Sequence, residues 1–370
     1  MDKNTTTGLI LIGAVIIAFM FLNKPAEKET SSNPSTTEKK ISSKNNFDNQ
    51  TESVLNINRD NSTNESIDSD LSIDSISIEE SLEEIENRKE IFGIFYNAAV
   101  GIEKDYALEN DKIKLSFSNK GAKITMVEMV EKDTNGTYLY RTHKDFVSDT
   151  NLPMALFEKE TSSMNLTLVD AEKVIPVSTE DLYFKLVKQN DSCLVFRADA
   201  GAADKYLEFM YCLPHGKHEV EFNINYHKIE YDIKSSVDLS WSMLGLSTEK
   251  LAEDERMYCS VMYRYFGANR DYLSERSDKF EELEGNANWI AFKHKFFSSI
   301  IISEDGFSNG SIEQKQLESE DYTIKYKSKL VIPSMGQVPL KFFFGPNDYD
   351  LLASYDNEMD GIINLGWGIF

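Results

Sequence analysis

Cysteine and proline are scarce in this chain, with three and eight residues respectively in 370. So few cysteines exclude a disulfide framework and the usual four-cysteine zinc sites. Positive charge is also in deficit, because 39 Lys and Arg stand against 62 Asp and Glu, a net charge of −23. Such a chain lacks the positive field that holds nucleic acid, so we expect no nucleic-acid partner. A mean hydropathy of −0.40 excludes a polytopic membrane protein but permits a single span.

Aromatic residues are nearly missing from the first quarter of the chain. The sequence has 22 Phe, 17 Tyr and 3 Trp, and only Phe19, Phe21 and Phe47 precede residue 91. A folded core needs large apolar side chains. We therefore expect one folded domain over residues 91–360.

The N-terminus carries an apolar run that predicts a membrane anchor over residues 1–24. No charge falls between Lys3 and Lys24, and Asn4–Asn23 is 20 residues long, which as a helix spans roughly 30 Å, one hydrocarbon core. A cleaved signal peptide is the alternative, but no A-x-A site or lipobox cysteine follows Leu22. The anchor residues are Gly8, Leu9, Ile10, Leu11, Ile12, Val15, Ile16, Ile17, Phe19, Phe21 and Leu22.

Residues 25–90 predict a disordered acidic tether. They hold 16 Asp and Glu against 7 Lys and Arg, and their apolar residues are too sparse to offset chain entropy. Within this segment, Ile78–Glu90 could instead form a short acidic helix, with Ile78, Leu82 and Ile85 on one face.

Residues 91–360 predict a mostly β fold, an antiparallel sandwich. Alternation with period 2 marks Ile113–Phe117, Glu219–Tyr226 and Tyr322–Leu330 as strands. Asn135-Gly136 predicts a hairpin turn between Ile124–Val130 and Thr137–Arg141. About fifteen such segments recur without regular long helices, which argues against a parallel βαβ sheet.

Two helical patches interrupt the predicted strands, Glu249–Glu255 and Tyr349–Met359. In the second patch, the side chain of Asp348 is placed to cap the first turn.

The sequence carries no motif for a known catalytic, nucleotide or metal site. G-x-S-x-G, H-E-x-x-H, Walker A and G-x-G-x-x-G do not occur. His215 and His218 flank a turn glycine and are not expected to bind metal, and the acidic run Asp278–Glu284 lacks calcium-loop spacing. His143, His227 and His294 are expected to be isolated core or surface residues. We therefore expect no cofactor, no metal and no enzymatic activity.

Two of the cysteines fall on a predicted hairpin. Cys193–Ala198 and Tyr206–Cys212 flank a polar loop, and a symmetric register pairs positions whose numbers sum to 405. Cys193 would then lie opposite Cys212, and the pair could oxidise outside the cytosol. The alternative is two buried free thiols, since directly paired strand positions strain a disulfide.

The last ten residues, 361–370, form a glycine-rich apolar stretch that suits a membrane interface. The junction residues would be Ile362, Ile363, Leu365, Trp367, Ile369 and Phe370. The alternative is a C-terminal segment packed on the domain.

Several motifs, in this order and spacing, resemble the N-terminal part of the YidC-type membrane protein insertases with a large periplasmic domain. They are Met1–Thr5 with Gly8–Gly13, Leu108–Gly121, Tyr272–Arg276, Trp289–Lys293 with Phe296–Ser299, Phe343–Asn347, Tyr349–Tyr355 and Leu365–Phe370. The resemblance implies a β-supersandwich similar to galactose-mutarotase-like domains, an anchor in the bacterial inner membrane and a domain in the periplasm. It also implies a role beside the Sec translocon, with SecD and SecF as partners, in the insertion and folding of membrane proteins.

The resemblance departs from the family after residue 370. The family's insertase work belongs to further transmembrane helices that would begin there, so nascent membrane proteins would be met through that missing core. We therefore expect a non-catalytic docking head. Two other hypotheses stay open: a membrane-tethered sugar-binding or aldose-epimerase-like domain, and a standalone tethered interaction protein.

Overall fold

Antiparallel strands make up most of the structure, a computed structural model that describes residues 81–355 and 357–363. The strands are β1 (Asp105–Glu109), β2 (Ile113–Ser118), β3 (Lys123–Met129), β4 (Met154–Phe157), β5 (Ser162–Val169), β6 (Pro176–Ser178), β7 (Lys185–Gln189), β8 (Cys193–Ala200), β9 (Ala202–Cys212), β10 (Glu219–His227), β11 (Ser236–Leu246), β12 (Ser260–Tyr265), β13 (Arg270–Tyr272), β14 (Lys279–Lys293), β15 (Phe297–Gln316), β16 (Tyr322–Pro333) and β17 (Gln337–Pro346). The prediction of a mostly β fold is confirmed.

Helices are short and few in this part of the chain. They are α1 (Leu82–Phe92), α2 (His143–Val147), α3 (Ala252–Arg256) and α4 (Tyr349–Ala353), with 3₁₀ turns at Gly93–Phe95, Lys159–Thr161, Thr179–Asp181 and Met359–Ile362. None of the helices among the described residues is both long and apolar enough to cross a membrane. The predicted span over residues 1–24 lies outside the described residues.

Helix α1 corresponds to the short acidic helix that the sequence gave as the alternative to a disordered tether. It begins at Leu82 rather than Ile78 because Ser81 and Glu84 form a capping box. The Ser81 hydroxyl accepts from the backbone N–H of Glu84 at 3.2 Å, and the Glu84 carboxylate accepts from the N–H of Ser81 at 2.9 Å. Two backbone donors at the helix start are thereby satisfied.

Two sheets pack face to face as a β-sandwich. One has the order β1-β2-β3-β4, and the other runs β6-β5-β11-β16-β15-β17-β10-β9-β8-β7 with β14, β12 and β13 branching from β15. Aromatic rings join the layers: Phe117 of β2 lies 5.0 Å from Tyr211 of β9, and Phe157 of β4 lies 5.8 Å from Phe344 of β17, between ring centroids. A single buried core fills the space between the sheets.

Strand β15 turns the corner of the large sheet. Its first half, Phe297–Ser303, pairs with β17, and its second half, Gly310–Gln316, pairs with β16. Strand β14 pairs with both halves and carries register irregularities between Glu284 and Trp289. Such irregularities bend a strand and increase its twist, which lets the sheet curl.

One predicted hairpin differs from the structure. Gly136 has the positive φ of a turn residue, at 82°, but Thr137–Arg141 forms a single bridge, Lys132 to Tyr138, rather than a strand. The Asp133 carboxylate accepts from the N–H groups of Asn135 and Thr137 at 2.8 and 2.9 Å. These bonds close a local turn in place of a strand ladder.

Candidate functional site: the clamped C-terminal segment

Three strands carry continuous apolar runs, and these runs mark a sheet region buried on both sides. Trp289-Ile-Ala-Phe lies in β14, Ile300-Ile-Ile in β15 and Phe342-Phe-Phe in β17. Successive side chains of a strand point to opposite faces, so such runs are expected only where both faces are covered. Ile290, Ile301 and Phe342 belong to the main core.

The other face of these strands, together with the neighbouring strand β12, forms a second apolar cluster, which we call the outer face. Its members in the sheet are Met262, Trp289, Ala291, Ile300, Ile302 and Phe343. The end of the described chain covers it, with Leu352, Tyr355, Met359 and Ile362 buried against these residues. We call residues 348–363 the terminal segment.

Helix α4 starts the terminal segment, and Asp348 caps it. The Asp348 carboxylate accepts from the backbone N–H of Leu351 at 2.8 Å, as the sequence predicted. The helix ends at Ala353 rather than extending to Met359, and the chain then crosses the sheet to a 3₁₀ turn at Met359–Ile362. The Tyr355 ring packs edge-on against Phe343, with centroids 5.4 Å apart.

Three polar contacts fix the path of the terminal segment. Trp289 Nε1 donates to the backbone oxygen of Asn357 at 3.0 Å. Arg264 Nη2 donates to Glu358 Oε1 at 2.6 Å, and the Arg264 side chain is 10% exposed. The backbone N–H of His218 donates to the Tyr355 hydroxyl at 3.2 Å. Hydrogen bonds to buried groups hold a segment because breaking one leaves a buried donor unpaired.

The structure places the predicted junction residues in two groups. Ile362 is fully buried on the outer face and Ile363 is partly buried beside it, so Ile362 is a core residue of the domain rather than a group facing a membrane. The physical reason is that the outer face offers it an apolar partner. Leu365, Trp367, Ile369 and Phe370 lie outside the described residues, as do all the anchor residues from Gly8 to Leu22.

A cavity of about 610 Å³ borders the start of the terminal segment. We call it the histidine cavity, because His218 lines it beside Tyr140, Asn347 and Asp348. His218 is 3% exposed, and neither ring nitrogen has a hydrogen-bond partner in the part of the chain that the structure describes. Burial lowers the pKa of His218 to about 4, so the ring is neutral at pH 7.

A second cavity, of about 590 Å³, lies at the far end of the terminal segment. We call it the basic cavity, because Arg270, Arg276, Lys293 and Lys295 line it together with a single acid, Glu275. Ile362 and Ile363 form part of its wall. The terminal segment thus runs from a cavity of mixed charge to one of positive charge.

The remaining predicted site residues lie elsewhere. In hairpin β8–β9, Cys193 pairs with Cys212 in the register whose numbers sum to 405, and the two form a disulfide. Cys259 is buried and free. His215 is exposed and pairs with Asp111 at 3.1 Å, and His294 is buried against Tyr326. Within residues 81–355 and 357–363 no His, Cys, Asp and Glu side chains form a group suited to a metal ion.

Residues 105–370 match the family described as the YidC periplasmic domain. The chain belongs to this family. Membrane protein insertase YidC of Parabacteroides distasonis is 28% identical to it, over 100% of this chain and 57% of that protein. The protein of that name from Phocaeicola vulgatus is also 28% identical, over 100% of this chain and 56% of the relative. The chain thus spans little more than half the length of these relatives.

Solved structures with a similar fold include a galactose mutarotase related enzyme from Lactobacillus acidophilus. Its TM-score is 0.41 at 13% identity, over 65% of this chain and 97% of that one. A galactose mutarotase-like protein from Lactobacillus casei has a TM-score of 0.42 at 13% identity, over 65% and 100%.

Sequence reasoning did not find the outer face. The motifs that contain Trp289, Phe296 and Phe343 indicated only a family resemblance. The signal was present, because strands buried on one side alternate, as in Glu219–Tyr226, and these runs do not. Arg264 and the basic cavity gave no local signal, since their residues come from four separate parts of the chain.

Proposed function

We propose that this chain is the first membrane span and periplasmic head of a YidC-type insertase, which inserts and folds inner-membrane proteins with or without the Sec translocon. The head would lie in the periplasm beside the inner membrane, with the Sec translocon, SecD and SecF as partners. Nascent membrane proteins would contact the part of the protein that follows residue 370. The family membership and the names of its relatives support this proposal.

The observation that carries the proposal is the clamped terminal segment. Ile363, the last described residue, is held against the outer face, seven residues before Phe370. An extended chain reaches about 3.4 Å per residue, so seven residues span at most about 24 Å. The clamp therefore limits how far the sandwich could move from any span that begins after Phe370.

The head would act by docking rather than by catalysis. Aldose epimerisation needs a proton donor and acceptor converging on one substrate. What supports a docking role is that the relatives covering the whole of this chain are named membrane protein insertases.

Copurification from membranes tests this proposal. The full-length protein, tagged and extracted in mild detergent, should bring down Sec channel subunits, SecD and SecF. The matched variant lacks residues 81–363 and keeps the predicted anchor, and it should lose the partners that dock on the head. Equal recovery with both variants would contradict the docking role, and recovery of the tagged protein in the soluble fraction would contradict the anchor.

A sugar-binding or aldose-epimerase-like domain is the second candidate, and the histidine cavity is the observation that favours it. The cavity combines an unpartnered imidazole with the Tyr140 ring and the Asp348 carboxylate, which are groups that contact sugars by stacking and hydrogen bonding. A mutarotation assay on galactose and glucose discriminates: a rate above that of a boiled control would favour the enzyme.

A further inference from the structure

The basic cavity concentrates positive charge in an otherwise acidic molecule. Residues 91–370 carry a net charge of −15, since the total of −23 includes −9 in residues 25–90 and +1 in residues 1–24. Four cations and one acid line the cavity, which gives its wall a net charge of about +3 at pH 7. Such a local reversal of sign attracts an anion, and low-dielectric walls strengthen the attraction.

Three of the four cations are uncompensated by an ion pair. Arg270, Arg276 and Lys293 form no salt bridge with any residue of the described ranges, although Glu275 is close enough to Lys293 to interact electrostatically. Lys295 lies 3.9 Å from Glu249. Lys293 Nζ donates to the backbone oxygen of Tyr258 at 2.8 Å, which leaves further donors of its ammonium group for a ligand.

Burial makes the charge on Lys293 costly. Desolvation lowers the pKa of Lys293 from its ordinary value, against smaller raising effects of Cys259 and Glu275, and the nearby charge of Arg270 acts in the lowering direction. Two like charges beside one another at a half-buried site are stabilised when an anion sits between them.

The rim of the basic cavity is aromatic. Tyr258 and Tyr272 are 50% and 46% exposed, and Phe296 nearby is 49% exposed. The Lys295 ammonium lies 5.5 Å from the Tyr258 ring centroid and 5.0 Å from that of Phe296. Aromatic rings together with Lys and Arg are the side chains enriched at the headgroup level of membranes.

The cavity also lies at the end of the chain that leads toward the predicted junction. Ile362 and Ile363 form its wall, and the apolar residues Leu365 and Trp367 follow within four positions. The cavity wall is therefore continuous in sequence with the residues predicted for the membrane junction.

We propose that the basic cavity binds the phosphate of an anionic phospholipid headgroup in the outer leaflet of the inner membrane, with Arg270, Arg276 and Lys293 as its ligands. This inference rests on the proposed position of the domain at the membrane. It adds a defined contact between the sandwich and the lipid. This contact would fix the orientation of the head as well as its distance from the membrane.

Photo-crosslinking tests the proposal on the full chain in lipid nanodiscs. The probe is Tyr272→p-benzoylphenylalanine, at the cavity rim, in discs of phosphatidylcholine with or without phosphatidylglycerol. We expect the probe to label phosphatidylglycerol. In the Arg270→Gln/Arg276→Gln variant, labelling should fall about fivefold for each cation removed, the usual contribution of a basic residue at an anionic membrane.

Matched controls separate the site from general charge. Lys185→Gln/Lys228→Gln removes two exposed cations that pair with Asp199 and Asp204, and it should leave the labelling unchanged. The same probe at Tyr231, which is 95% exposed beyond the far end of β10, should not label lipid. An equal loss of phosphatidylglycerol labelling in the two charge variants would overturn the proposal.

The remaining outcomes distinguish the sources of the ligand. Inorganic phosphate at constant ionic strength should compete with labelling, because the shared chemistry is the phosphate group. Binding of inorganic phosphate in equilibrium dialysis without any lipid adduct would mean a site for free phosphate, and an adduct with residues 25–80 would mean that the acidic tether occupies the cavity. Either result overturns the lipid assignment, whereas a protein that does not incorporate into discs at all contradicts the proposed function instead.

Discussion

At the scale of single residues, Trp289 joins the sheet to the terminal segment in two ways. Its ring is fully buried on the outer face, and its one N–H donates to the backbone oxygen of Asn357. A hydrogen bond of this kind contributes roughly 0.5–1.5 kcal/mol net. The attachment of the terminal segment therefore depends on the indole N–H of Trp289, a residue that the sequence pattern shows only as part of an apolar run.

We expect Trp289→Phe to loosen residues 357–363 more than the rest of the domain. The phenyl ring keeps most of the apolar contact but removes the N–H, so amide hydrogen exchange in that segment should quicken by about fivefold, equivalent to about 1 kcal/mol. Trp241→Phe is the matched control, because Trp241 stacks on Phe292 inside the main core. Faster exchange at 357–363 in both variants would contradict a local role for Trp289.

His218 and His294 make stability depend on pH. Burial lowers the pKa of each to about 4 in the folded protein, from an ordinary value of 6.5. The free energy of unfolding that these two histidines contribute is therefore fully present above pH 6.5. It is lost as the pH falls toward 4, because the unfolded chain takes up protons first.

The free energy of unfolding should fall by up to about 1.4 kcal/mol per pH unit for each of these histidines between pH 6.5 and 4. Urea unfolding of His218→Leu and His294→Leu should show a shallower fall than the parent. The exposed His215→Gln variant should keep the parent slope, and a parent-like slope in the two buried variants would sink the prediction.

At the scale of elements, hairpin β8–β9 carries a covalent link across directly paired positions. Cys193 and Cys212 are 19 residues apart in sequence, and closing a loop of about this length is worth roughly 3 kcal/mol in the chain-entropy view. The disulfide lies at the open end of the hairpin. Gly201, with φ of 80°, makes the turn at the other end.

Thiol titration in denaturant should find one reactive thiol without reductant and three with it, the one being Cys259. The double variant Cys193→Ser/Cys212→Ser should lose about 2–4 kcal/mol of unfolding free energy. Cys259→Ser, in which the thiol is buried without a covalent partner, serves as the single-site control. Equal thiol counts before and after reduction would contradict the disulfide.

At the scale of the whole molecule, the sequence predicted the positions of the strands better than the contacts that cover the faces of the sheets. Period-2 alternation located β2, β10 and β16 because each has one face in the core and one in solvent. The symmetric register of the predicted hairpin also placed Cys193 opposite Cys212. Sequence reasoning missed the outer face and the basic cavity, since Arg270, Lys293 and Ile362 meet only after β12–β15 have folded. Contacts between distant parts of the chain leave no local pattern.

The predicted junction gives a test at this scale. Leu365→Asp/Trp367→Asp should weaken the membrane apposition of residues 360–370, because charge at an interfacial apolar site is costly. Protease protection of that stretch in membrane vesicles should drop relative to the parent. An Asn364→Asp variant adds one charge beside the junction without removing an apolar residue and serves as the control. Unchanged protection in the double variant would contradict the junction.

Under the proposed function the domain is exported, and the shared strand β15 then has a consequence for how the chain folds. Its two halves need β16 and β17 as partners, and both follow it in sequence, so a chain emerging N-terminus first exposes two unpaired strand edges until residue 346 has crossed. Unpaired apolar edges are sites of aggregation, and pairing over long sequence separations is slow. Under the proposed function, the sandwich would therefore close late in translocation, after residue 346 has crossed and when the terminal segment is the next to follow.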